Sequence, residues 1–467
     1  MRPAVMPTGF APTQQLGSPY GGHPGYPPPM PPAPRKGLST RVLVTGIVVL
    51  LALTSVMISA VLAPGASAPL VAPEISLPPS PGPDDPPQVR QEWLMAVADL
   101  ELDNSAQALL DDDEDGWLAV YDSSIHDAMS ERFGSLRALA VSFYEYRIIS
   151  HHPIENGPET FELRLAATYC LGGEVGGDCA GTSILFDTTW SSSDDDVRII
   201  DVEDSYEMGP RPFEVEKLQA KVGERAIVAA PSKYADELDN ALQVAEEAAE
   251  NADQYAVYGA VDRYIVFLAG DDEFGRWYGD LGDMTNVVGF AIPLTLVDDR
   301  GGQEQGGSEV VVHADRVHDE TDFVSTMRHE LGHVATLHHS PDHQQQPEEW
   351  WLAEGSAELI DHGPENSVDG YLRQYDVEEY IDRKLWDGDI SAATPSDDLL
   401  AGSAKYGIAF YCAYYLFTEY GKDKFMDFFG KVARDGEDAE SASQEVYAMP
   451  YSDLEDEMTD FVKSTAG

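Results

Sequence analysis

The stretch TMRHELGHVATLHH, residues 326–339, constrains this chain more than any other. Phe323, Met327, Leu331, Val334 and Leu337 recur at steps of three and four, the period of an amphipathic helix. Residues four apart on such a helix share a face, so His329 and His333 point the same way with Glu330 between them. Two neutral imidazoles one turn apart can share a Zn²⁺ ion. The intervening carboxylate then sits beside the metal's open position, where it can take a proton from water. The spacing H-E-x-x-H therefore predicts a helix built for metal-assisted hydrolysis of an amide.

A catalytic zinc site takes three protein ligands and leaves a fourth position open. EEWWLAEGSAEL, residues 348–359, places Glu354 and Glu358 four apart on a second predicted helix. Glu354 is the candidate third ligand. Glu358, one turn on, is the candidate acceptor for the outer ring N–H of a ligand histidine, chiefly His329.

HELGH and WLAEGSAE, with 21 residues from His333 to Glu354, resemble the gluzincin metallopeptidases, the thermolysin and aminopeptidase clan, and especially its peptidase-MA-like branch. The resemblance implies Zn²⁺ held by His329, His333 and Glu354, with Glu330 as general base. Glu358 falls where thermolysin-like enzymes carry an Asp beyond the metal ligands. The helical tract AKYGIAFYCAYYLFTEYGKDKFMDFFGKVA resembles the C-terminal part of that branch. A tyrosine near its start, Tyr406 by position, would donate to the oxyanion of a tetrahedral intermediate. The implied activity is zinc-dependent hydrolysis of a peptide or protein substrate. HELGHVATLHH also looks like the metzincin pattern H-E-x-x-H-x-x-G-x-x-H, with His339 as third ligand. That pattern's glycine is Thr336 here, a β-branched residue that tolerates positive φ poorly. His338, His339 and His343 are accordingly expected at an exposed helix end and loop.

Upstream, residues 1–34 are rich in Pro and Gly and are expected to be a disordered cytoplasmic tail. Residues 35–63 pair a basic flank (Arg35, Lys36, Arg41) with 22 uncharged residues, 42–63, long enough to cross a bilayer. No Lys or Arg follows until Arg90, so the positive-inside rule predicts a single-pass membrane protein with its catalytic part outside the cell. The competing reading is a signal peptide cut after Ala66-Ser67-Ala68. Residues 64–89 read as a Pro-rich linker. Residues 1–63 hold four basic and no acidic side chains, so the other 404 carry 83 acids against 25 bases. Such a polyanion is a poor partner for nucleic acid.

Residues 90–210 read as an α+β domain, helical to about Leu139 and then four strand-like runs. In TFELRLAATYC, Phe161, Leu163 and Leu165 alternate with Glu162 and Arg164, the mark of a half-buried sheet. Helices followed by a curved sheet resemble the nuclear transport factor 2-like fold. Cys170 and Cys179 bracket a Gly-rich connection and are expected to pair as a disulfide, while Cys412 is expected as a buried thiol. Residues 111–122, DDDEDGWLAVYD, match much of an EF-hand loop, but Asp122 replaces the final Glu, and a solvated inter-helix turn is the expectation. Residues 211–467 form the expected metallopeptidase-like domain, a mixed sheet under helices with a helical C-terminal part. SEVVVHAD, just before the active-site helix, is placed to line a substrate, with an ordinary core strand the equal alternative. The fold class is thus α+β with an N-terminal transmembrane helix. The alternative function is a membrane-anchored binding or assembly module on a non-catalytic zincin-like scaffold.

Overall fold

The computed structural model describes residue 77 and residues 79–467, except 83, 152–159, 174–180, 194–195, 207, 280, 282–283, 285–286, 298–301, 318, 339, 341–349 and 395–396. Its architecture is mixed α/β around two sheets. The first sheet is a four-stranded antiparallel meander of β1 (Val141–His151), β2 (Thr160–Leu171), β3 (Thr182–Ser193) and β4 (Asp196–Val202). Phe161, Leu163 and Leu165 are buried while Glu162 and Arg164 are exposed, so the alternation places one face inward. Helices α1 (Pro87–Leu110), α2 (Glu114–Leu118) and α3 (His126–Ala138) cover that face. Trp117 is wholly buried at their meeting point, its indole N–H donating to the Met129 carbonyl at 3.0 Å.

Residues 111–122, expected as a solvated turn, contain the short helix α2 and bury Trp117, Val120 and Tyr121. Asp113 caps α2 by accepting from the Gly116 N–H, Asp122 accepts from the Ser124 N–H, and Asp112 pairs with Arg137 at 3.0 Å. Cys170 is disulfide-bonded, Cys179 lies outside the described residues, and Cys412 is a buried free thiol.

The second sheet has the order β5 (Leu218–Val222), β6 (Ala226–Pro231), β7 (Tyr264–Ala269), β9 (Gln303–His313), β8 (Gly289–Val297). Strands β6, β7 and β9 are parallel; β6 and β7 are buried on both faces and read as continuous apolar runs, and β9 is buried over its last five residues. One face packs on α4 (Leu238–Asp253) and α5 (Glu320–Leu337). The other shares a continuous core with the first sheet, running in sequence from Trp93 to Val311. Beyond α5 a helical layer follows: α6 (Trp350–His362), α7 (Gln374–Asp382), α8 (Leu399–Tyr420), α9 (Lys422–Phe429), α10 (Ala439–Val446) and α11 (Tyr451–Ala466).

Two expectations are corrected here. SEVVVHAD lies in β9, which pairs with β7 on one side and β8 on the other, so its backbone groups are occupied; the sheet edge above α5 is β8. The transmembrane helix does not stand either. Residues 42–63 lie outside the described residues, and no helix among those described is long and apolar enough to cross a membrane. The 22-residue α8 has the length, but five tyrosines, Lys405 and Glu419 lower its hydropathy, and the surrounding helices cover its apolar side chains. The fold class and the single-pass, outside-facing localisation are corrected accordingly.

Polar groups are buried where the two sheets meet. Glu309 of β9 accepts from Tyr169 of β2 at 3.2 Å and from Tyr278 at 2.6 Å, and the Arg211 guanidinium lies over the Tyr278 ring at 5.4 Å. All four side chains are almost fully buried. Replacing Glu309 with Ala would strand a guanidinium and two hydroxyls in the core, so Glu309→Ala is expected to destabilise the protein by ~3–5 kcal/mol in chemical denaturation. A loss under ~1 kcal/mol would show that the cluster carries little of the junction.

Candidate metal centre

Helix α5 starts cleanly because Asp319 caps it, accepting from the Thr321 and Asp322 N–H groups at 2.9 and 3.1 Å. Met327, Leu331, Val334 and Ala335 face the sheet. At its far end Arg434 donates to the carbonyls of Thr336 and His338 at 2.7 and 2.9 Å, satisfying groups that the helix leaves open. His338, expected at an exposed end, is buried there; His339 and His343 lie outside the described residues.

Two glycines set how closely α6 approaches. At Gly332 an added Cβ would sit 3.4 Å from three atoms of Ile360, so α5 and α6 touch nearly backbone to side-chain root. At Gly355, next to Glu354, a Cβ would run into the Ala409 carbonyl of α8. Any larger residue would push α6 out of the space that carries Glu354 towards the histidines.

The result is a compact triad. His329 Nε2 and His333 Nε2 are 3.1 Å apart, and Glu354 Oε2 lies 3.2 Å from the first and 3.3 Å from the second. All three side chains are buried. Three donors sharing one tetrahedral ion at about 2.0–2.1 Å would stand roughly 3.3 Å apart, so the triangle has the dimensions of a half-built coordination sphere. Among the described residues, His329, His333 and Glu354 are the only group of three or more such side chains placed to hold a metal ion.

Glu330 completes the arrangement. It is fully buried, and neither carboxylate oxygen makes a full hydrogen bond among the described residues, although the Ala291 backbone N–H of β8 faces it. Gly289 of β8 is pressed against α5; a Cβ there would lie 2.7 Å from Thr326 Cγ2 and 3.2 Å from Glu330 Oε1. Glu358 Oε1 stands 3.5 Å from His329 Nδ1. Tyr406 is buried at the same site, its ring centroid 6.4 Å from that of His329 and 4.8 Å from that of Trp350.

The buried side chains of the site hold protons. Burial alone would lower the His329 pKa, but the bond to Glu354 and the charges of Glu358 and Glu330 outweigh it and raise it to about 9. Burial pushes Glu330 up to about 8, while the neighbouring imidazoles hold Glu354 down near 2 against its own burial. His333 is shifted down, by burial and by the charge on His329.

Three contributors were not visible in the sequence. Arg373 and Tyr371, both buried, bind Glu358 from a segment between α6 and α7 that has no periodic relation to either motif. Asp361 accepts from Ser325 of α5 at 2.5 Å, and burial raises its pKa to about 7. A carboxylate at Asp361, one turn beyond Glu358 on the same helix, was the only available sign. No family model matches the chain, and no curated protein matches it.

Because His329 keeps a proton up to about pH 9, a cation must displace it to bind. Apparent metal affinity should therefore rise by roughly tenfold per pH unit between about 6 and 8 and level off above about 9, with roughly one proton released per ion near neutrality. Titration calorimetry in buffers of different ionisation heat reads that release. An affinity flat across this range would contradict the proton-storing description.

Proposed function

We propose that the protein is a zinc-dependent peptidase of the gluzincin type, acting on a peptide or protein substrate. The observation that carries the reading is Glu330: a buried carboxylate with no full hydrogen bond among the described residues, adjoining a triad of ligand dimensions. A purely structural metal site has no use for such a group, whose desolvation is costly.

The donor set favours zinc among divalent ions. Two imidazoles and one carboxylate are a borderline set, whereas Ca²⁺ and Mg²⁺ take oxygen ligands. Bound zinc would supply Lewis acidity, lowering the pKa of water and polarising a carbonyl. Glu330 takes the proton from the attacking water and returns it to the leaving amine. His329, His333 and Glu354 hold the ion, and Glu358 orients His329. Tyr406, beside His329, offers a phenol to the developing oxyanion.

The edge strand β8 supplies the remaining element. Val288 accepts from the His313 N–H of β9, so alternation turns Gly289 and Ala291 outward towards α5. The Gly289 backbone and the Ala291 carbonyl would be the groups for an extended chain to pair with beside Glu330, which the Ala291 N–H faces. Past Pro293, which has no N–H, the Val297 backbone is engaged by Ser183 and Arg147 of the first sheet.

Two sets of variants test this. Glu330→Gln is expected to retain the fold and about one zinc per chain while losing peptide cleavage by at least roughly 10²-fold. Cleavage at the wild-type rate would sink the assignment and leave the non-catalytic scaffold as the better account. His333→Ala and Glu354→Ala should each lose zinc in elemental analysis, and His339→Ala should retain it. Zinc loss in His339→Ala with retention in Glu354→Ala would instead favour the metzincin ligand set.

A further inference from the structure

Glu358 lies one helical turn past Glu354, with Oε1 3.5 Å from His329 Nδ1. A carboxylate offers about four acceptor sites, so a single contact to an imidazole would leave it free to rotate. Both of its oxygens are held. Tyr371 Oη donates to Oε2 at 2.6 Å, and Arg373 donates to Oε1 through Nε at 3.1 Å and Nη2 at 3.0 Å. The oxygen gripped by Arg373 is therefore the one that faces the metal-site histidine. Tyr371 is itself fixed by stacking on Phe410 of α8, ring centroids 3.7 Å apart.

The guanidinium also meets an electrostatic need. Glu330, Glu354 and Glu358 are buried together, and the Arg373 guanidinium offsets one of these charges. The same guanidinium lies 5.2 Å over the Tyr406 ring, so a single side chain braces both flanks of the site.

We propose that Arg373, supported by Tyr371, is a positioning residue of the metal centre. It clamps Glu358 Oε1 against His329 Nδ1, which keeps the ring proton on Nδ1 and leaves Nε2 directed at the ion. The inference rests on the metal-binding reading of His329, His333 and Glu354 but needs no peptide substrate to be tested.

The experiment uses the full-length protein and compares wild type with Arg373→Gln, Arg373→Lys and Tyr371→Phe. Zinc affinity is read by chelator competition, the fold by thermal melting of the metal-free protein, and the ring by histidine ¹⁵N NMR of the zinc-loaded protein. Arg373→Gln should bind zinc roughly 10–100-fold more weakly, and its His329 Nδ1–H resonance should leave the downfield position of a proton bonded to carboxylate. Arg373→Lys should recover part of the affinity, because it keeps the charge but loses the planar fork. Tyr371→Phe should show a smaller loss than Arg373→Gln.

A folded Arg373→Gln protein with zinc affinity within about twofold of wild type and an unmoved His329 signal would overturn the proposal, since outer contacts of this kind normally cost far more. Should Arg373→Gln fail to fold, wild-type affinity in both Arg373→Lys and Tyr371→Phe would overturn it as well. Wild-type protein that binds no zinc would fail the metal reading itself, a result distinct from equal binding by wild type and variant.

Discussion

The close approach of α5 and α6 is the constraint on which the site depends. Gly332 lets α5 meet Ile360, and Gly355 lets α6 press on the backbone of α8, so Glu354 arrives within 3.3 Å of both histidines. A methyl group at Gly355 would meet the Ala409 carbonyl, which belongs to a packed helix and cannot yield cheaply. Helix packing thus sets the ligand geometry, with no loop contributing to the triad.

Bringing these groups together carries a large electrostatic cost, and much of the surrounding structure offsets it. Isolated buried carboxylates either pair or take up protons. Glu354 is paired with the imidazoles, Glu358 with Arg373 and Tyr371, and Asp361 with Ser325. Glu330 differs in having no full hydrogen bond to either oxygen among the described residues, and burial raises its pKa, only partly countered by His329 and the Ala291 backbone. That imbalance makes it a proton-transfer group in the proposed mechanism, where a fully satisfied carboxylate would be inert.

The first sheet contributes from a distance. Its residues Ser183 and Arg147 hold the Val297 end of β8, and Tyr169 reaches across to Glu309 in β9. These contacts fix the two strands that carry the wall over α5. The sheet therefore supports the edge beside Glu330, although none of its own side chains belongs to the triad.

Some of this was legible in the chain itself. His329 with His333, and Glu354 with Glu358, are pairs four residues apart, and helical geometry alone puts such pairs on one face. The alternation in β2 likewise revealed a strand, because side-chain direction in a strand is local. Which strand forms the edge was not local. Both β8 and β9 are apolar and near α5, and only the order in which strands pair decides which has free backbone groups. Arg373 and Tyr371 were hidden for the same reason: their partner Glu358 lies on another element, and no spacing encodes that contact. Local geometry determined which side chains could cooperate. Long-range packing decided how close they came and which of them kept a proton, because desolvation and charge depend on everything that surrounds a group once the chain has folded.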